Sequence, residues 1–150
     1  MVLTGSKIVK TLSILVLLAA VAGGAGYYYV TRSFKDTSEL KPDFVVDAIP
    51  FIAEFEKDPK TANSRYSEKM ITVRGRISAL ETADTLVNIK MTNESTGSYV
   101  IFALQSNELL ATRGLKVNDS IAVKGSCSNG TYSDILSVYF ISFKRCAIIR

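Results

Sequence analysis

At 150 residues, 47% of them hydrophobic, the chain has room for one domain and an anchor and lies well clear of a disordered composition. Eighteen basic residues face fourteen acidic ones, but Lys7 and Lys10 stand before the first apolar run; the remainder carries sixteen basic residues and a net +2, too mild for the dense basic face of a dedicated nucleic-acid binder. The chain has no histidine, which removes the commonest general base and metal ligand.

Thr11 to Val30 are twenty residues without a charge, enough as a helix to span about 30 Å of hydrocarbon. Tyr27, Tyr28 and Tyr29 end the run where an interfacial aromatic belt would lie, and Lys7 and Lys10 precede it. This predicts an uncleaved, single-pass transmembrane anchor over 11–30 behind a cytoplasmic 1–10, with the bulk of the chain exported to the periplasm or exterior. The alternative is a signal peptide cleaved after Ala20-Val21-Ala22, releasing a secreted protein. No cysteine directly follows the run, which excludes lipid attachment there.

Residues 31–43 are polar, contain Pro42 and read as a linker; 44–150 read as the folded domain. Phe44 to Val46 form a short extended piece. Pro50 then opens a helix with Ile49, Phe51, Ile52 and Phe55 as its apolar stripe, and Asp58-Pro59 repeats the cap-then-proline signal for a second short helix ending near Tyr66. From Tyr66 to Leu80 the pattern switches to period two. Ile71, Val73 and Ile77 share one face with Gly75, while Thr72, Arg74, Arg76 and Ser78 share the other, predicting a curled first strand.

Leu86 to Met91 and Tyr99 to Leu104 then form a hairpin around the turn residues of TNESTG, with Val87, Ile89 and Met91 inward. Ser106-Asn107 caps a short helix that stops at Gly114. Ser120 to Gly125 make a fourth strand, SNGTYSD a loop, and Ile135 to Ile149 a fifth strand with a bulge. The fold predicted is mainly β with short helices: a five-stranded OB-fold barrel preceded by two short helices and the transmembrane helix. Asn93, Asn118 and Asn129 each head an Asn-x-Ser/Thr sequence and read as turn residues.

The runs FIAEFEKDPKTANSRYSEKMITVRGRIS, LKVNDSIAVKGSCSN and KRCAII resemble the bacterial tRNA-anti-like family of exported or membrane-anchored OB-fold domains, over roughly 45–150. The matching positions are Phe55, Ala62, Tyr66, Lys69, Val73, Gly75, Gly125, Cys127 and Cys146. Ser67-Glu68 stands where a glycine commonly follows the tyrosine, and Asn118 where one precedes Asp119. The resemblance implies a fold and no particular activity.

Arg74, Arg76 and Lys90 project outward in this reading and Tyr99 offers a stacking surface. They are the candidate ligand-binding residues, set against an ordinary solvated face. No catalytic motif, metal-ligand set or cofactor signature appears, so no catalytic residue, metal or cofactor is assigned. The function expected is a membrane-tethered OB-fold binding or interaction module of the bacterial envelope, its partner an unknown protein or small ligand. The alternatives are a single-stranded nucleic-acid binder and a structural subunit of an envelope assembly. Cys127 and Cys146 read either as a disulfide, favoured by an oxidising compartment, or as two buried reduced thiols.

Overall fold

The computed structural model describes residues 5–30, 36–83 and 86–149, which fall into two units divided after Lys35. The first is a single helix, α1 (Gly5–Val30), unbroken through Gly23, Gly24 and Gly26. Its stretch Val9–Tyr29 is long and apolar enough to cross a bilayer.

The second unit opens at Asp36, whose carboxylate accepts from Ser38 N (2.9 Å) and caps a 3-10 turn at Thr37–Glu39. Asp36 to Asp43 belong to the linker predicted from sequence, yet they pack onto this unit, with Thr37 buried. The other linker residues, 31–35, lie outside the described residues.

Next come β1 (Phe44–Asp47), α2 (Ala48–Lys57) and α3 (Pro59–Tyr66). Asp58 ends α2 and caps α3 by accepting from Thr61 N at 3.1 Å, so one residue serves both helices. Of the predicted α2 stripe, Phe51, Ile52 and Phe55 are buried, whereas Ile49 is exposed and Ala48 takes the inward place beside Gly75.

The strands are β2 (Met70–Arg76), β3 (Ala79–Ala83), β4 (Leu86–Thr92), β5 (Tyr99–Leu104), β6 (Ser120–Ser133) and β7 (Val138–Ile149). They order as β1-β2-β6-β7-β5-β4-β3, antiparallel except for the parallel pairs β1–β2 and β5–β7. Only Ile77 and Ser78 separate β2 from β3. Ile77 N still donates to Asp119 O (2.9 Å) on the β6 side, while Ser78 N donates to Lys90 O (2.8 Å) on β4. The chain therefore changes partner strand within two residues, and the sheet closes into a barrel.

Seven strands replace the five expected, for two reasons. The predicted first strand is one bent strand that the corner at Ile77-Ser78 divides into β2 and β3, and β1 adds itself in parallel along the edge of β2. Gly75 is not at that corner. It admits close packing, since a Cβ there would stand 2.8 Å from Met91 Sδ and 2.9 Å from Ala48 Cβ.

Two other expectations change. SNGTYSD is not a loop: β6 continues to Ser133 against β7, through register shifts near Gly125 and Ser128, and the turn falls at 134–137 with Ile135 and Leu136 exposed. The helix predicted after Ser106 is a 3-10 turn, Ser106–Glu108, followed by further turns up to Gly114 at φ +88°. The predicted parity of β2 and β4 holds, with Ile71, Val73, Ile77, Val87, Ile89 and Met91 all buried. Thr72, on the outer side, is buried as well. It stands opposite Lys124, whose Nζ donates to Ser38 O and Leu40 O at 2.7 Å each, so the docked 36–40 segment covers that patch.

Candidate functional site

Strand register brings the four sequence-predicted residues onto neighbouring ground in two pairs. On β4 and β5, Lys90 Nζ lies 5.1 Å from the centre of the Tyr99 ring, which stacks on Phe140 of β7 at 6.1 Å. Lys90 also makes an ion pair with Glu81 of β3, so its charge is already engaged. On β2, Arg74 Nε donates to Asp47 Oδ1 at 3.1 Å, and Arg76 is exposed. Thr92 stands between the pairs: it faces Tyr99 across the β4–β5 ladder and shares a hydroxyl hydrogen bond of 2.7 Å with Ser78.

Arg74, Arg76 and Thr92 line a cleft of about 1160 Å³ at one side of the barrel. One wall is the start of α2, from Asp47 to Pro50. Another is the β4–β5 turn with Asn93 and Glu94, and a third is the segment Ala111 to Leu115. Buried Ala48 and Met91 and half-buried Ile121 and Ile148 supply apolar surface. Three arginines lie on the lining, Arg74, Arg76 and Arg113, with two carboxylates, Asp47 and Glu94.

Asp47 occupies the N-cap position of α2, yet its side chain makes no capping hydrogen bond and turns to Arg74 instead. Sequence reasoning found Arg74 and Arg76 by strand parity but missed Arg113, which it placed at the end of a short helix where the structure has turns. It also missed Asp47, which no motif singles out.

Among the described residues no three of the Cys, Asp and Glu side chains gather as a metal site. Cys127 and Cys146 are buried and free, so no bond joins them in this structure. Cys127 stands opposite Phe143, whereas Cys146 pairs with Leu104 of β5 and packs over Gly125. Burial pushes the Cys127 thiol up to about 12 and raises that of Cys146 as well.

A small barrel closed by one sharply bent strand, with its third and fifth barrel strands (β5 and β7) parallel, is an OB-fold domain. The chain belongs to the tRNA_anti-like family, whose family model matches residues 2–138. Among solved structures it is similar to a candidate nucleic acid-binding lipoprotein from Klebsiella pneumoniae, at 17% identity and a TM-score of 0.56, covering 70% of this chain and 91% of that one. It is similar more distantly to an asparaginyl-tRNA synthetase from Entamoeba histolytica (15% identity, TM-score 0.41, 55% of this chain and 21% of that one). A candidate aspartyl-tRNA synthetase from Leishmania major gives 8% identity, a TM-score of 0.45, and coverage of 84% and 25%. The chain thus spans about a quarter or less of either synthetase. No curated protein matches it.

Proposed function

We propose that this chain is a non-catalytic binding module, held at a membrane by α1 and exported as an OB-fold domain that takes its ligand in the arginine-edged cleft. The cleft carries the reading. It is an open cleft large enough to admit a small ligand, and it combines apolar surface with a few polar groups, the usual make-up of a ligand site. Membrane retention rests on the length and apolarity of Val9–Tyr29, and the likeness to a lipoprotein supports export.

Native mass spectrometry of the full chain, released gently from membranes, tests the cleft. The wild type is expected to carry a co-purifying adduct that Ser120→Trp, a bulky side chain on the cleft wall, removes. A bare wild-type chain, or the same adduct on both proteins, overturns the reading. For the anchor, carbonate extraction is expected to leave the full-length chain in the pellet, and a soluble form beginning near Gly23 would establish cleavage instead.

A second reading is favoured by the Lys90–Tyr99–Phe140 cluster on the outer face of β4, β5 and β7. Single-stranded nucleic acid stacks its bases on surface rings beside a cation, and Tyr99 and Phe140 are each half-buried, leaving part of each ring open. The candidate nucleic acid-binding neighbour supports it; the engagement of Lys90 by Glu81 and the small net charge weigh against it. A labelled oligothymidylate whose affinity falls steeply with salt, and falls further in Tyr99→Ala, is the result this reading requires.

A further inference from the structure

We infer that the cleft takes an amphiphilic anion, a phosphate or carboxylate head on an apolar body, received by Arg76 and Arg113, and that Asp47 competes with it for Arg74. This rests on the cleft being the ligand site and adds the chemistry of the ligand.

Arg76 and Arg113 are exposed, and neither side chain has a hydrogen-bond or ion-pair partner among the described residues. Arg74 is held by Asp47, with both side chains more than half exposed (59% and 61%). An exposed pair of this kind is weakly held, so an incoming anion can displace the carboxylate at little cost. The remaining acid on the lining is Glu94, in the β4–β5 turn. Three guanidiniums against two carboxylates leave a local positive surplus. A neutral ligand would leave two planar five-donor groups unused, and a cation would meet that surplus.

The apolar half of the argument is the surface beneath them. Ala48 and Met91 are buried, and Ile121 and Ile148 pack against the core from the cleft side. A bare inorganic anion would leave most of the roughly 1160 Å³ unfilled and this surface uncovered. Such a head group belongs equally to an anionic lipid or to a soluble acyl or alkyl phosphate.

The test is calorimetry on the full chain in nanodiscs of zwitterionic lipid, with empty nanodiscs as blank and hexyl phosphate, inorganic phosphate and hexanol as probes. Hexyl phosphate is expected to bind saturably. Inorganic phosphate should bind about tenfold or more weakly, and hexanol should show no saturable binding. The double variant Arg76→Gln, Arg113→Gln should lose about tenfold or more in affinity for hexyl phosphate, while Lys116→Gln, a nearby exposed change outside the lining, should not. Asp47→Asn removes the charge that competes for Arg74 and costs α2 no capping bond, since the Asp47 side chain makes none, so it should bind more tightly with its melting temperature unchanged.

Wild-type affinity in the double variant, equal binding of inorganic and hexyl phosphate, or weaker binding in Asp47→Asn each overturns the inference. Adding phosphatidylglycerol to the nanodisc decides the source: competition with hexyl phosphate supports a lipid head group, and its absence supports a soluble anion. Loss of the native adduct in Ser120→Trp together with no hexyl phosphate binding would keep the cleft as the site and discard only the anionic class.

Discussion

Asn63 and Gly130 exchange two hydrogen bonds: Asn63 Nδ2 donates to Gly130 O at 2.8 Å, and Gly130 N donates to Asn63 Oδ1 at 2.7 Å. The pairing of β6 with β2 ends at Ser126, so Gly130 has no strand on that side among the described residues, and one side chain of α3 supplies the ladder's missing rung. Gly130 is buried, and truncation at position 63 leaves its donor and acceptor unpaired. Asn63→Ala is therefore expected to cost about 1 to 3 kcal/mol in a urea melt. Gly130→Ala should cost a similar amount by another route, because the added Cβ collides with the Phe55 ring.

The phase of β2 makes a second test. Val73 is fully buried, and Val73→Ala should destabilise by roughly 1 to 3 kcal/mol. Arg74 faces solvent with an exposed partner, and Arg74→Ala should stay within about 0.5 kcal/mol. Equal losses in denaturant melts would place the strand in the wrong register.

Much of this barrel was legible because local rules and global packing agree. The parity of Ile71, Val73 and Ile77, the Asp58-Pro59 boundary and the apolar alternation of β4 each needed only neighbours in sequence. At the two departures from the family's glycines the backbone is left-handed: Glu68 and Asn118 sit at φ +59° and +77°. What was not legible depends on distant chain. β6 could not be followed past Gly125 because its bulges break the alternation, and its partners come from β7 and from Asn63. Lys124 looked outward by parity and is buried by a segment that composition labelled a linker. The cleft was half visible: strands revealed Arg74 and Arg76, and irregular chain concealed Arg113.

Tyr66 ties the helices to the core and gives the protein an alkaline limit. Its Oη donates to Glu54 Oε2 at 2.8 Å, and its ring meets Phe51 at 5.0 Å and Phe44 at 5.1 Å. Burial, then the hydrogen bond to Glu54, pushes the phenol up to about 12 from its ordinary value near 10. A folded-state value above the unfolded one contributes stability that is complete below pH about 10 and lost as pH rises toward 12. Ultraviolet titration, with Tyr66→Phe as the difference blank, should show this phenol ionising late, and Glu54→Gln should bring it down.

Lys124 clips the opening segment of the second unit onto the barrel. Its ammonium serves two backbone carbonyls, Ser38 O and Leu40 O, while Asp36 accepts from Asn107 Nδ2 at 3.0 Å nearby. Lys124→Met keeps the apolar stem and removes the donor. The expected result is faster amide exchange over 36–40 and earlier cleavage after Glu39 by a glutamate-specific protease, with β2 and β7 protected as before. Unchanged exchange would mean that packing of Thr37 alone holds the segment.

The two cysteines are expected to behave as core residues. Cys127 faces Phe143, three residues along β7 from Cys146, with a register shift between them. Cys146 is further committed to Gly125, where a Cβ would stand 2.5 Å from its Sγ. With both thiols raised by burial, the reactive thiolate is scarce near neutral pH. Native protein should therefore resist a thiol reagent, and unfolding it without reductant should expose two titratable thiols. A single bridged pair in protein taken from its native compartment would overturn this, and the oxidised chain would then resist denaturant by ~3 kcal/mol more than the reduced one in the chain-entropy account.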